Sequence, residues 1–163
     1  MLIYLMRHGI ATAAEPGGRD AERPLSQQGT LQTALAAKGL LRLGVRVDRV
    51  VASPLLRAQQ TADIVARILE LPEPVLTDPR LAPYGSFETI SEVIQDHRDA
   101  QRLMLVSHQP AIGEGLSGLC GRGELSAAMG TGAVAAVVAE AFRPHVRGAL
   151  EWLIPASMLE QFA

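Results

Sequence analysis

Cysteine is nearly absent: Cys120 stands alone, which excludes an intramolecular disulfide and leaves no cysteine-rich metal framework. A reducing interior suits such a chain, and the cytoplasm is the expected compartment. Charge of one sign is not in excess. The formal net charge of −2 offers no global field for wrapping nucleic acid or adhering to an anionic membrane, so neither is expected as a partner. Long apolar runs are missing too. No uninterrupted stretch approaches the ~20 residues that cross a bilayer, and Leu2 to Met6 is too short, with no basic segment before it, for a secretory signal. Repeats and low-complexity segments do not occur. What is present is apolar material in quantity: 48% of the 163 residues are hydrophobic, enough to bury a sizeable core in one domain spanning residues 1–163.

Leu2 to Met6 reads as a strand buried on both faces that stops at Arg7-His8-Gly9. A polar loop from Ile10 to Pro24 follows, after which Ser26 is placed to cap a helix running to about Leu43, with Gly44 as its stop. Val47 to Ala52 is a second strand. Ser53-Pro54 marks a boundary before Leu55 to Glu70, where Thr61, Ile64, Val65, Ile68 and Leu69 recur at helical spacing. A brief strand over Val75 to Thr77 and a turn-rich stretch from Asp78 to Gly85 precede Ser86, which caps a third helix. Leu103 to Val106 is another apolar strand, ending at Ser107-His108, and Pro110 suits the first turn of the helix after it. The glycine-rich piece from Gly113 to Gly132 reads as a short helix and a loop. Ala133 to Ala139 and Ala149 to Ile154 close the chain as strands, with Arg143-Pro144 in the turn between them.

Strands alternating with helices imply an α/β three-layer sandwich, with a mainly parallel central sheet and helices on both faces. In such sheets ligands sit outside the carboxyl ends of the strands, and three polar clusters fall there: Arg7-His8-Gly9, Ser53 to Arg57, and Ser107-His108. Converged, they supply two imidazoles and two guanidiniums, a site for a dianion. Arg7 and Arg57 can hold a phosphoryl group with planar forks of N–H donors. A neutral His8 can attack phosphorus, splitting one hard hydrolysis into two transfers, while His108, if protonated, donates to a phosphoryl oxygen. No metal or cofactor is needed. Gly9 gives the backbone room to turn beneath a bound anion. An Arg57 at a helix start is unfavourable unless an anion is near, which favours a functional reading.

Leu5-Met6-Arg7-His8-Gly9 resembles the signature of the histidine phosphatase superfamily, the phosphoglycerate-mutase-like fold. Ser53-Pro54-Leu55-Leu56-Arg57-Ala58-Gln59-Gln60-Thr61 resembles its second block and Ser107-His108-Gln109-Pro110 its third, while Arg23-Pro24-Leu25-Ser26-Gln27-Gln28-Gly29 and the small size are similar to the bacterial SixA type of phosphohistidine phosphatase. The resemblance implies that His8 is the nucleophile, that Arg7, Arg57 and His108 form the phosphate pocket, and that the backbone at Gln109 contributes. No large insertion between the core elements offers a lid, and an open pocket suits a protein-borne phosphate, so a phosphorylated histidine on a helical carrier domain, as in bacterial phosphorelays, is the expected substrate. One departure bears on substrate: Arg80-Leu81-Ala82-Pro83-Tyr84-Gly85 has no carboxylate where many larger members keep a glutamate proton donor. A departing imidazole needs a dedicated acid less than an alkoxide does, so the gap favours a P–N bond. Glu15, Asp20 and Glu22 in the first loop are alternative donors. The competing functions are a phosphomonoesterase of small metabolites and a non-catalytic phosphohistidine-binding module. His97 and His145 carry no motif and read as solvated residues, Cys120 reads as core, and Gly130-Thr131-Gly132 precedes a strand, which argues against a dinucleotide fingerprint.

Overall fold

The computed structural model describes residues 1–121 and 124–163, so Arg122 and Gly123 of the expected glycine-rich loop lie outside the described residues. Strand β1 (Leu2–Arg7) leads through the first loop, with a 3-10 turn at Asp20–Glu22, to helix α1 (Gln27–Arg42). Strand β2 (Arg49–Ala52), helix α2 (Leu56–Ile68), strand β3 (Leu76–Thr77) and helix α3 (Phe87–Asp96) follow. Strand β4 (Arg102–Ser107), helix α4 (Ala111–Gly121), strands β5 (Val134–Ala141) and β6 (Arg147–Ile154) and the short helix α5 (Ala156–Leu159) complete the order.

The helix boundaries follow local chemistry. Ser26 Oγ accepts from Gly29 N–H at 3.0 Å and caps α1, and Gly44 takes the left-handed φ of +79° that ends it. Ser86 caps α3 in a reciprocal box with Thr89. Helix α2 stops at Ile68, two residues short of the expected end, because Glu70 adopts a positive φ of 54°. Pro110 is not in the first turn of α4 as its sequence suggests. It stands ahead of Ala111, after a cis peptide bond, and its carbonyl accepts from Glu114 N–H.

The six strands form one sheet in the order β3-β2-β4-β1-β5-β6. β3, β2, β4 and β1 run parallel, and β5 and β6 return antiparallel as a hairpin, so the sheet is mixed and mostly parallel. Alternation along each strand feeds two cores. Ile3, Leu5, Val51, Leu103 and Leu105 face α3 and α4, where Ile90, Val93, Ile94, Ile112 and Leu116 meet them. Tyr4, Met6, Val50, Ala52, Met104 and Val106 face α1 and α2, packing on Ala36, Leu40, Ala58, Ala62 and Val65. Among the described residues no helix is long and apolar enough to cross a membrane.

Register sets the position of the site. Met6 and Ala52 both pair with Val106, and Arg7 pairs with Ser107, so three strands end at one level. Ser53 N–H then donates to Val106 O and His8 N–H to Ser107 O, each at 3.0 Å, carrying the alignment past the strand ends.

Close approach also shapes the α1 face. A Cβ on Gly39 would strike the carbonyl of Leu159, so the bare helix surface is what lets the C-terminal segment dock. Gly39→Ala should therefore destabilise the protein by about 1–3 kcal/mol in urea unfolding. Propensity alone would stabilise the helix by about 1 kcal/mol, so the sign of the change checks the packing.

Candidate active site

His8 follows β1, Arg57 lies in the first turn of α2, and His108 follows β4; all three side chains are buried. The imidazoles of His8 and His108 face each other with ring centroids 4.9 Å apart at 57°. Gly9 O lies 2.7 Å from His8 Nδ1, and since a carbonyl can only accept, Nδ1 carries the hydrogen. The lone pair of His8 is thereby at Nε2, where it accepts from Arg57 Nε at 3.3 Å. Burial above all, then Arg57, Arg7 and Arg23, push His8 down to about 4 against the opposing Gly9 hydrogen bond, so the ring is neutral at pH 7.

His108 is neutral in the free pocket as well. Burial, His8, Arg57 and Arg7 lower it to about 3, with Asp20 opposing, so the protonated donor envisaged from sequence is not the resting state. Its Nε2 lies 2.7 Å from Ser53 Oγ, and its Nδ1 is buried without a partner. Arg7 repeats the pattern: Nη1 donates to Met129 O at 2.8 Å, while the buried Nε has no acceptor.

The anion that the start of α2 calls for is an aspartate. Arg57 donates from Nη1 to Asp20 O at 2.8 Å and from Nη2 to Asp20 Oδ2 at 3.0 Å. Hydrogen bonds from Arg23 and Arg57 hold the Asp20 carboxyl below its usual range, so it rests as an anion. Of the three carboxylates proposed for the first loop, Asp20 reaches the pocket; Glu22 pairs with Arg19, and Glu15 is exposed.

Several supports were not legible in the sequence. Gly9 carries a packing role as well: a Cβ there would collide with Thr33 of α1, so the glycine lets α1 approach. Thr61 Oγ1 accepts from Gly9 N–H at 3.1 Å and donates to Arg57 O at 2.7 Å, tying the end of β1 to α2. Gln109 engages through its side chain, with Nε2 donating to Ala127 O and Oε1 accepting from Met129 N–H, which pins the segment that carries the carbonyl bound to Arg7. A cleft of about 860 Å³, bordered by Phe87, Glu114, Leu125 and Arg147, adjoins Gln109 but contains none of Arg7, His8, Arg57 or His108. His145 is half-buried at its edge against the Phe87 ring, not solvated as expected. Cys120 packs partly buried beside the α3/α4 core, where burial raises its thiol. Among the described residues, no cluster of three or more His, Cys, Asp or Glu is arranged to hold a metal.

The family model of the histidine phosphatase superfamily (branch 1) matches residues 3–124. The chain belongs to that superfamily. Among curated relatives of this histidine phosphatase, the phosphohistidine phosphatase SixA of Escherichia coli K12 is 34% identical over 139 residues, 84% of each chain. An uncharacterized protein of Picosynechococcus is 39% identical over 116 residues, 70% of each. The solved structure of the protein histidine phosphatase SixA with tungstate superposes with a TM-score of 0.86 at 30% identity, covering 96% of this chain and 98% of that one. The alpha-ribazole phosphatase of Shigella flexneri shares the fold, with a TM-score of 0.71 at 19% identity and 96% and 97% coverage. A phosphatase of the histidine phosphatase family is thus established.

Two measurements probe the electrostatics. Between about pH 6.5 and 4 the unfolded chain protonates two histidines that the folded pocket keeps neutral, so stability should fall as pH falls through that window. Between pH 7.5 and 5, wild type should lose on the order of 1–2 kcal/mol more per histidine than a His8→Asn/His108→Asn variant in urea unfolding. Removing the resident carboxylate with Asp20→Ala should tighten orthovanadate binding by about two- to five-fold, the scale of an exposed ion pair.

Proposed function

We propose that the protein removes phosphate from phosphohistidine on a protein, a carrier domain of a phosphorelay, through a phosphohistidine on His8. The observation that carries this reading is a pair of buried nitrogens left without partners: Arg7 Nε, and Nδ1 of His108, whose ring faces that of His8. A tetrahedral oxyanion supplies what those nitrogens lack. His8 Nε2 forms the new P–N bond as the bond to the substrate's imidazole breaks. The departing nitrogen keeps that bond's electron pair, and a ring whose other nitrogen already bears hydrogen leaves neutral. Water then attacks phosphorus, the bond to His8 breaks, and inorganic phosphate leaves with His8 again neutral. Arg7, Arg57 and His108 bear the charge on the oxygens during both transfers, with Gln109 positioning the segment behind Arg7.

The turn lacking a carboxylate supports a P–N substrate. Leu81 of that turn is tied to the end of β4, its carbonyl accepting from Ser107 Oγ at 2.7 Å, and Arg80 to Gly85 include no acid. The likeness to SixA points the same way, and the chain as a whole, 1–163, acts as the catalytic unit, with the cytoplasm as its setting.

Turnover of a phosphohistidine carrier should exceed that of common sugar phosphates, and a rapid quench should trap an acid-labile, alkali-stable phosphoenzyme. His8→Ala should abolish the trapped species and lower kcat by at least about 10³-fold. Arg57→Ala should cost about 10²–10³-fold. Preference for sugar phosphates would replace the proposed substrate, and binding of the phosphoprotein without a trapped intermediate would mark a recognition module instead.

A further inference from the structure

Ser53 was not among the residues that the sequence assigned a chemical role, yet it is fully buried against one of them. It stands just past β2, and the sheet register that aligns Ala52 with Val106 brings its hydroxyl to 2.7 Å from His108 Nε2. A hydroxyl has one hydrogen to give and two lone pairs to offer. Leu55 N–H donates to Ser53 Oγ at 3.3 Å and uses one lone pair. Among the described residues, His108 Nε2 is the acceptor that the hydroxyl hydrogen can reach. Were Nε2 to carry a hydrogen, the serine would accept twice, and its own hydrogen would be buried with nowhere to go. Nε2 is therefore the lone-pair nitrogen. A neutral imidazole with its lone pair at Nε2 bears its hydrogen at Nδ1, the nitrogen that is buried and unpartnered.

We infer that Ser53 is a positioning residue whose hydroxyl locks His108 in the neutral Nδ1–H tautomer, so that His108 meets the phosphoryl group as an uncharged hydrogen-bond donor. The inference rests on the phosphoryl pocket proposed above and changes how that pocket works. The two rings are then complementary: His8, tied through Nδ1–H to Gly9 O, has its lone pair at Nε2 against Arg57 Nε, and His108, tied through Nε2 to Ser53, has its hydrogen at Nδ1. The charged and titratable groups around His108 favour this arrangement. Arg7 ends β1 and His8 follows it, Arg57 comes from α2 and Asp20 from the first loop, so a cationic His108 would add a third positive side chain against one carboxylate. An imidazolium 4.9 Å from His8 would also be an acid beside the nucleophile, able to quench its lone pair. A neutral donor avoids both penalties while still filling an oxygen's hydrogen-bonding need.

The test reads the nitrogen that carries the proton. In a ¹⁵N-histidine-labelled His97→Gln/His145→Gln background, the spectrum at pH 7 contains the two site rings alone, assigned with His8→Asn. His108 should show hydrogen at Nδ1 and a bare Nε2; hydrogen at Nε2, or on both nitrogens, overturns the inference. In Ser53→Ala the His108 tautomers should mix, and kcat should fall about 10- to 100-fold, less than outright loss of a donor. Ser53→Thr should restore the single tautomer and most of the rate. Unchanged tautomer and rate in Ser53→Ala would also overturn it, and the wild-type spectrum decides the matter if either variant fails to fold. Because the spectrum needs no substrate, a wrong substrate assignment shows up in the turnover comparison and leaves this result intact.

Discussion

Parallel pairing of β4 with both β1 and β2 is the constraint on which the rest of the molecule depends. It sets Arg7 beside Ser107 and puts Ala52 and Met6 level on Val106, so residues some fifty and one hundred positions apart in the chain finish at one edge. A slip of one residue would turn every side chain on the strand to the other face. It would exchange Ile3 and Leu5 for Tyr4 and Met6 against α3 and α4, and carry His8 away from His108. The same burial that fixes the cores therefore fixes the pocket.

The pocket is an unfavourable place to leave empty. Two guanidiniums and two imidazoles crowd a largely buried volume, and the protein offsets this by keeping both histidines neutral and by laying Asp20 on Arg57. What remains unmet is directional: Arg7 Nε and His108 Nδ1 are held without partners. Their desolvation cost is offset during folding by the surrounding core, and in the proposed pocket an arriving oxyanion has Asp20 to displace from Arg57. Stability and the proposed phosphoryl chemistry thus draw on the same atoms with opposite sign.

Much of this was legible in the linear order of residues. Apolar runs ending at Arg7-His8, Ser53 and Ser107-His108 announced strands with chemistry at their carboxyl ends, and Ser26 and Ser86 announced helix starts by capping. Smaller features read less well. Pro110 matched a helix's first turn by type but stands before the helix, and Gly9 also serves the approach of Thr33, which its type does not announce. A residue's type states what a position can tolerate; its neighbours decide which tolerance is used.

By itself the sequence determined the alternation of strand and helix, the capped helix ends and the set of groups able to hold and attack a phosphoryl group, since these follow from side-chain chemistry and local periodicity. Tertiary structure alone decided the partners: Asp20 on Arg57, Thr61 between Gly9 and Arg57, and Ser53 on His108. The reason is physical. A hydrogen bond is made over about 3 Å between groups whose separation along the chain carries no information, so the placement of each lone pair and hydrogen waits on the fold that brings them together.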